Sequence, residues 1–221
     1  MKSTTSFRNN IPLILSITFI IVLFILSFFK IKLLLQLQSP LLLLFAAFII
    51  SYLVWLVLEF NTAKSETTKG QKTNDFGTCE IYALGRALTL LSGIGFYSQW
   101  SKISIIHILG YSIFVFGFSF RVYSIRTLGK YYSHIVRKVD GHRIISTGPY
   151  RLMRHPAYTG MILANLGVTL FFFNYITLAI YAGILIPSII VRIIVEEKTL
   201  FTIEGYETYA KNRKRIIPFI W

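Results

Sequence analysis

Two stretches of this chain constrain its fold more than any other: residues 11–29 (IPLILSITFIIVLFILSFF) and 40–58 (PLLLLFAAFIISYLVWLVL) contain no charged side chain. Each runs for 19 residues, which as a helix covers about 28 Å, close to the hydrocarbon thickness of a bilayer. A soluble protein of this length would need more surface charge than the 14% of charged residues found here. The runs therefore predict an integral membrane protein. Lys2 and Arg8 precede the first run, as they would in a signal peptide. The run is longer than a typical h-region, however, and Lys30 and Lys32 stand where a small-residue cleavage site would lie. It is read as a retained span. The one cysteine, Cys79, excludes an intramolecular disulfide.

Further apolar segments at 79–96 and 103–120 predict a third and a fourth span. With the N-terminus in the cytoplasm, seventeen Lys and Arg fall on the cytoplasmic side, and only Lys30, Lys32 and Lys102 on the other. That asymmetry sets the expected topology. It also accounts for most of the formal net charge of +14, as an orientation signal and an attraction to anionic headgroups. A nucleic-acid partner is not expected.

The chain divides into an N-terminal two-span hairpin (1–60), a polar cytoplasmic loop (61–78, NTAKSETTKGQKTNDFGT) expected to be flexible, and a core (79–221) whose motifs lie in 120–221. Residues 161–195 pose a length problem. As one helix they would reach about 52 Å, yet two full spans need about 40 residues. A helical hairpin turning at Asn174, with Pro187 interrupting its second arm, meets both limits. The predicted fold is all-α and polytopic: about four spans plus this C-terminal hairpin.

The hairpin returns Arg192, Glu196 and Glu197 (VRIIVEEKTL, 191–200) to the membrane face that carries TGPYRLMRHPAYTG (147–160). Arg192 and Glu196 are four apart and share a helix face, while Glu197 lies about 100° round. Two readings stand: a capping salt bridge where the span leaves the membrane, or charges lining a polar pocket. His134, His142 and His155 are spaced by eight and thirteen, which matches no common zinc pattern, so no metal is assigned. They suit hydrogen bonding to a ligand better. His107 reads as an interhelical partner. SGIGF (92–96) lacks the third glycine of a dinucleotide fingerprint.

RTLGKYYSHIV, DGHRIISTGPYRLMRHPAYTG, RIIVEEKTL and GYETYAKNRKRIIPFI occur in order. Together they resemble the isoprenylcysteine carboxyl methyltransferase family and its bacterial relatives, which include phospholipid methyltransferases. The resemblance covers roughly residues 120–221 and implies a cytosol-facing pocket for S-adenosyl-L-methionine, with a lipophilic or lipidated acceptor entering sideways from the bilayer. Within it His142, Ile145, Gly148, Tyr150, His155 and Tyr158 fall on the cofactor-cradling motif, Glu196 and Glu197 on its acidic pair, and Arg192 on the arginine before it. Tyr206, Tyr209 and Pro218 match the closing tail. Tyrosine faces suit a sulfonium and an adenine, a glutamate suits an ammonium or ribose hydroxyls, and an arginine suits a carboxylate. Arg192, Arg154 and Glu196 are the expected catalytic residues: an arginine to orient a carboxylate acceptor, or a glutamate to take a proton from an amine. Met161 replaces the aromatic residue frequent in eukaryotic members, and Pro149 precedes the first tyrosine. Both departures, with the short chain, point to the bacterial relatives and a bacterial cell membrane. The alternatives are a phospholipid N-methyltransferase, an NADPH-dependent membrane reductase of the sterol-reductase type, and a non-enzymatic scaffold or transporter.

Overall fold

The computed structural model describes residues 2–64, 71–72, 77–133, 137–138, 144–217 and 221. They are almost wholly helical: α1 (Lys2–Gln36), α2 (Leu41–Lys64), α3 (Thr78–Phe96), α4 (Ile105–Leu128), α5 (Pro156–Phe171), α6 (Tyr175–Ile180), α7 (Ile186–Leu200) and α8 (Tyr206–Lys211). Four helices are long and apolar enough to cross a membrane, over Ile14–Gln36, Leu41–Thr62, Ile105–Tyr131 and Tyr175–Leu200. The chain is a multi-pass integral membrane protein. The segment read as a third span does form a helix, α3, but Glu80 and Arg86 interrupt its apolar character.

The C-terminal hairpin turns at Asn174 as its length required. Asn174 caps the second arm, its Oδ1 accepting from Thr177 N–H at 2.9 Å and from Thr177 Oγ1 at 3.1 Å. The first arm, α5, is short and the second is long. The second widens into a π turn at Tyr181–Leu185 directly before Pro187, which has no N–H to give to the preceding turn. Substitution Asn174→Ala is expected to cost about 1 kcal/mol through the lost cap, read as a lower thermal midpoint in detergent.

Small residues let α4 and α5 run unusually close. Gly110 and Gly117 of α4 face Gly160, Ala164 and Gly167 of α5, and a Cβ on Gly117 would lie 2.3 Å from Ala164 N. Between lipid-facing helices, where burial of apolar surface gives little net drive, such approach provides the dispersion contacts that hold a pair together. The rest of the core is aromatic. Phe48, Tyr52 and Trp55 of α2 meet Phe114 of α4 with centroids 4.6, 6.0 and 5.9 Å apart, and Phe171 and Phe172 close the far end against Phe48. The outer faces of α1 and α4 leave Phe28, Phe29, Ile105 and Phe116 exposed, as lipid contact requires.

At one end of the bundle, backbone residues 71–72 of the α2–α3 loop pair antiparallel with 137–138, in the insertion after α4. The loop expected to be flexible thus has one ordered tie, and it points to the end where α4, α5 and α7 converge on the candidate site.

Candidate active site

Two proline bends build the floor. Gly148 takes φ 56, a conformation glycine adopts without strain. It starts the short turn Gly148–Arg151, which buries Tyr150. His155 and Pro156 then start α5. The C-terminal tail straps this turn down: Arg154 N–H donates to Lys214 O and His155 N–H to Arg215 O, both at 2.9 Å, and Thr159 Oγ1 donates to Ile216 O at 2.8 Å. Tyr209 Oη donates to Tyr150 O at 2.8 Å.

Above the floor lies an open cleft lined from α4, α5, α7 and α8. Of the residues expected at the site, Ile145, Tyr150, Arg154, His155, Tyr158, Glu196, Tyr206 and Tyr209 line it. Gly148 does not, but packs behind Tyr150 against Tyr123 and Thr127. His142 and Pro218 lie outside the described residues.

The acidic pair splits as its 100° offset implied. Glu196 lines the cleft, where its Oε2 accepts from Tyr158 Oη at 2.7 Å, and Tyr158 Oη in turn accepts from Arg192 Nε at 2.9 Å. Arg192 thus reaches the cleft through Tyr158, and its Nη1 donates to Thr78 Oγ1 at 3.1 Å. Glu197 is buried beneath and holds three partners: Arg154 Nη1 at 2.9 Å, His155 Nε2 at 3.1 Å and Arg215 Nε at 2.8 Å. Its carboxylate clamps the floor to the tail.

The structure adds Arg121, which lies in no motif, and three residues of RTLGKYYSHIV that the sequence did not single out. Arg121 of α4, 2% exposed, lines the cleft with Tyr131, Tyr132 and Ser133. Arg121 is gripped by Glu59 of α2, Nε to Oε1 at 2.6 Å and Nη2 to Oε2 at 3.1 Å. A lone carboxylate in the last turn of an otherwise uncharged span was the available signal, because such a group is costly unless paired.

Two cleft groups are buried without a hydrogen-bond partner among the described residues: Tyr206 Oη and Arg154 Nε. Unpaired polar atoms in a protein interior are costly, and at a cleft they fit a polar ligand. Burial raises the hydroxyl pKa of Tyr150 and Tyr206 well above tyrosine's ordinary value, and that of Tyr209 to about 12 from 10.0. These phenols stay protonated and donate. The raised value means that Tyr209 contributes stability fully below pH 10.0 and loses it as pH rises towards about 12. Tyr209→Phe is accordingly expected to lower the unfolding midpoint at pH 7 by the equivalent of about 1 kcal/mol, one lost buried hydrogen bond, and to flatten its alkaline fall over that window.

Residues 108–202 match the family model described as the isoprenylcysteine carboxyl methyltransferase (ICMT) family. A probable protein-S-isoprenylcysteine O-methyltransferase of rice (Oryza sativa subsp. indica) is 31% identical over 116 residues, 51% of this chain and 61% of the rice protein. The Saccharomyces cerevisiae protein-S-isoprenylcysteine O-methyltransferase is 33% identical over 118 residues, 51% of this chain and 49% of the yeast protein. The human one is 28% identical over 174 residues, 76% of this chain and 61% of the human protein. The chain thus spans about half to three-fifths of these relatives' own length. A solved structure of the eukaryotic intramembrane Ras methyltransferase ICMT superposes with a TM-score of 0.60 at 21% identity, covering 95% of this chain and 85% of that one. The two chains share a fold. Residues 108–202 are thus similar to the isoprenylcysteine carboxyl methyltransferase family.

Proposed function

We propose that this protein transfers a methyl group from S-adenosyl-L-methionine to the carboxylate of a lipophilic acceptor of the isoprenylcysteine type, at the cytoplasmic face of the membrane. The observation that carries the carboxylate version is electrostatic. In and directly behind the cleft, Glu59, Glu196 and Glu197 face five arginines: Arg86, Arg121, Arg154, Arg192 and Arg215. A buried surplus of guanidinium charge is costly unless an anion completes it, and an amine acceptor would not. The family resemblance and the names of the relatives support the same class of chemistry.

S-Adenosyl-L-methionine supplies a methyl group already activated on a sulfonium. As an O–C bond to the acceptor forms and the methyl–sulfur bond breaks, one negative and one positive charge cancel, and no proton has to move. The protein's part is then alignment in a site that excludes water. Tyr150, Tyr158 and Tyr206 offer ring faces and hydroxyls. Glu196 accepts from an ammonium or ribose hydroxyl. Arg154 Nε and the one Nη1 hydrogen of Arg121 left without an acceptor among the described residues are donors for carboxylates. The lipid part of the acceptor enters from the bilayer, and the basic residues at this end lie against anionic headgroups.

Isothermal titration of the purified protein with S-adenosyl-L-methionine tests the reading. Saturable binding is expected, weakened about tenfold in Tyr206→Phe, the loss of one buried hydrogen bond. Saturable binding of NADPH, with none of S-adenosyl-L-methionine, would overturn the reading.

A further inference from the structure

We propose that Glu59, on the N-terminal hairpin, is a positioning residue that fixes Arg121 to receive the acceptor carboxylate, so that the first hairpin completes the site. The inference rests on the carboxylate reading above and adds a residue that lies outside every motif and outside the family-matched stretch 108–202.

Glu59 is the one acidic residue of α2, and its side chain is 11% exposed. Adhesion of α2 to the bundle does not require it. Tyr52 and Trp55 already pack on Phe114, and Trp55 stacks on Phe118 at 6.2 Å. A carboxylate in a span needs another reason to be there.

Its contacts supply one. Glu59 Oε1 accepts from Trp55 Nε1 at 3.1 Å as well as from Arg121 Nε, so the carboxylate is itself held. Arg86, whose guanidinium lies 4.8 Å over the Trp55 ring, approaches Oε2 at 3.9 Å. Glu59 therefore grips the Nε–Nη2 edge of Arg121 as a fork, which fixes the guanidinium plane as well as its position. The opposite side is what the cleft sees. There Nη1 donates to Ala157 O at 3.2 Å and Nη2 to Tyr132 Oη at 3.1 Å, and both residues line the cleft. Arg86 adds a second cation to the same carboxylate, so the pair stays attractive to an anion although Glu59 occupies one edge. Without Glu59, Arg121 would keep only those two neutral acceptors, neither of which fixes its plane.

The experiment measures binding of an S-prenylated cysteine carboxylate and its carboxamide counterpart to the full chain in nanodiscs, with S-adenosyl-L-methionine affinity measured in parallel. The parent is expected to prefer the carboxylate by about tenfold, the effect of one charge-assisted fork. Glu59→Gln is expected to reduce that preference to about twofold while donor affinity stays within about twofold of the parent. Glu59→Asp is expected to fall between the two. If the parent prefers the carboxylate and Glu59→Gln does too, the positioning role is wrong and the carboxylate reading survives. If the parent shows no preference, the carboxylate reading itself is wrong and the role of Glu59 falls with it. If Glu59→Gln fails to bind the donor while Glu59→Asp keeps the parent's full preference, Glu59 only holds the fold together, which also overturns the proposal.

Discussion

Gly117→Ala is expected to be among the most damaging single-atom-scale changes this protein can undergo. The added Cβ would sit 2.3 Å from Ala164 N and 2.8 Å from both Ala164 Cα and Leu163 C. All three are backbone atoms within a helix, so no side chain can swing aside; α4 and α5 must separate. Overpacking of this kind costs about 3 kcal/mol, a fall of roughly 6–12 °C in the unfolding midpoint for a chain of this size. Function should suffer beyond stability. Gly117 lies one turn before Arg121, and α5 opens with His155 at its N-cap and carries Tyr158 in its first turn, so separating the helices widens the cleft itself. Thermal unfolding and donor binding in nanodiscs check both effects. Gly95→Ala is the control, because a Cβ there meets nothing within 4 Å, and its midpoint should match or exceed the parent's. A Gly117→Ala protein melting with the parent would show that the two helices are not as close as described.

Glu197→Ala should produce the second large effect, by a different route. Removing this carboxylate leaves Arg154, His155 and Arg215 without the acceptor they share. Breaking a buried ion pair from one side costs about 3–5 kcal/mol, and here the loss also frees the C-terminal tail from the floor of the cleft. Faster proteolysis near residues 211–217 and a loss of methyl transfer of at least about a hundredfold are expected, the latter equivalent to two factors of ten in free energy. The contrast is Glu207→Ala. Glu207 pairs with Lys211, but both side chains are largely exposed, at 73% and 70%, so its removal should change stability by less than about 0.5 kcal/mol. Equal effects of the two substitutions would contradict the assignment of Glu197 as the clamp.

How far the sequence disclosed this arrangement depends on whether a feature is local. The uncharged runs marked α1 and α2 because bilayer thickness is a length requirement that sequence states directly. Asn174 marked the hairpin turn because 161–195 is too long for one span and Asn174 interrupts it. Tyr150, His155 and Tyr158 were legible through the family resemblance of one loop, TGPYRLMRHPAYTG. What stayed hidden was pairing across distance. Arg121 meets Glu59, 62 residues earlier, and neither lies in a motif. Periodicity placed Glu196 and Glu197 on different faces, yet only the packing of α7 against α5 and the tail shows which of them faces the cleft. Arg192 was expected among the catalytic residues, and only the structure shows its Nε donating to Tyr158 Oη. Residues 71–72, inside a polar loop with no strand pattern, pair with 137–138 for a reason that lies in the partner and not in the loop.

The central claim is that this cleft methylates a carboxylate. It is tested most directly by incubating the membrane-embedded protein with S-adenosyl-L-methionine carrying a labelled methyl group and an S-prenylated cysteine acceptor, then treating the lipid extract with mild alkali. The account predicts label in the extract that alkali releases as methanol, because a methyl ester hydrolyses and a methylated amine does not. Label that enters the extract and resists alkali would contradict it.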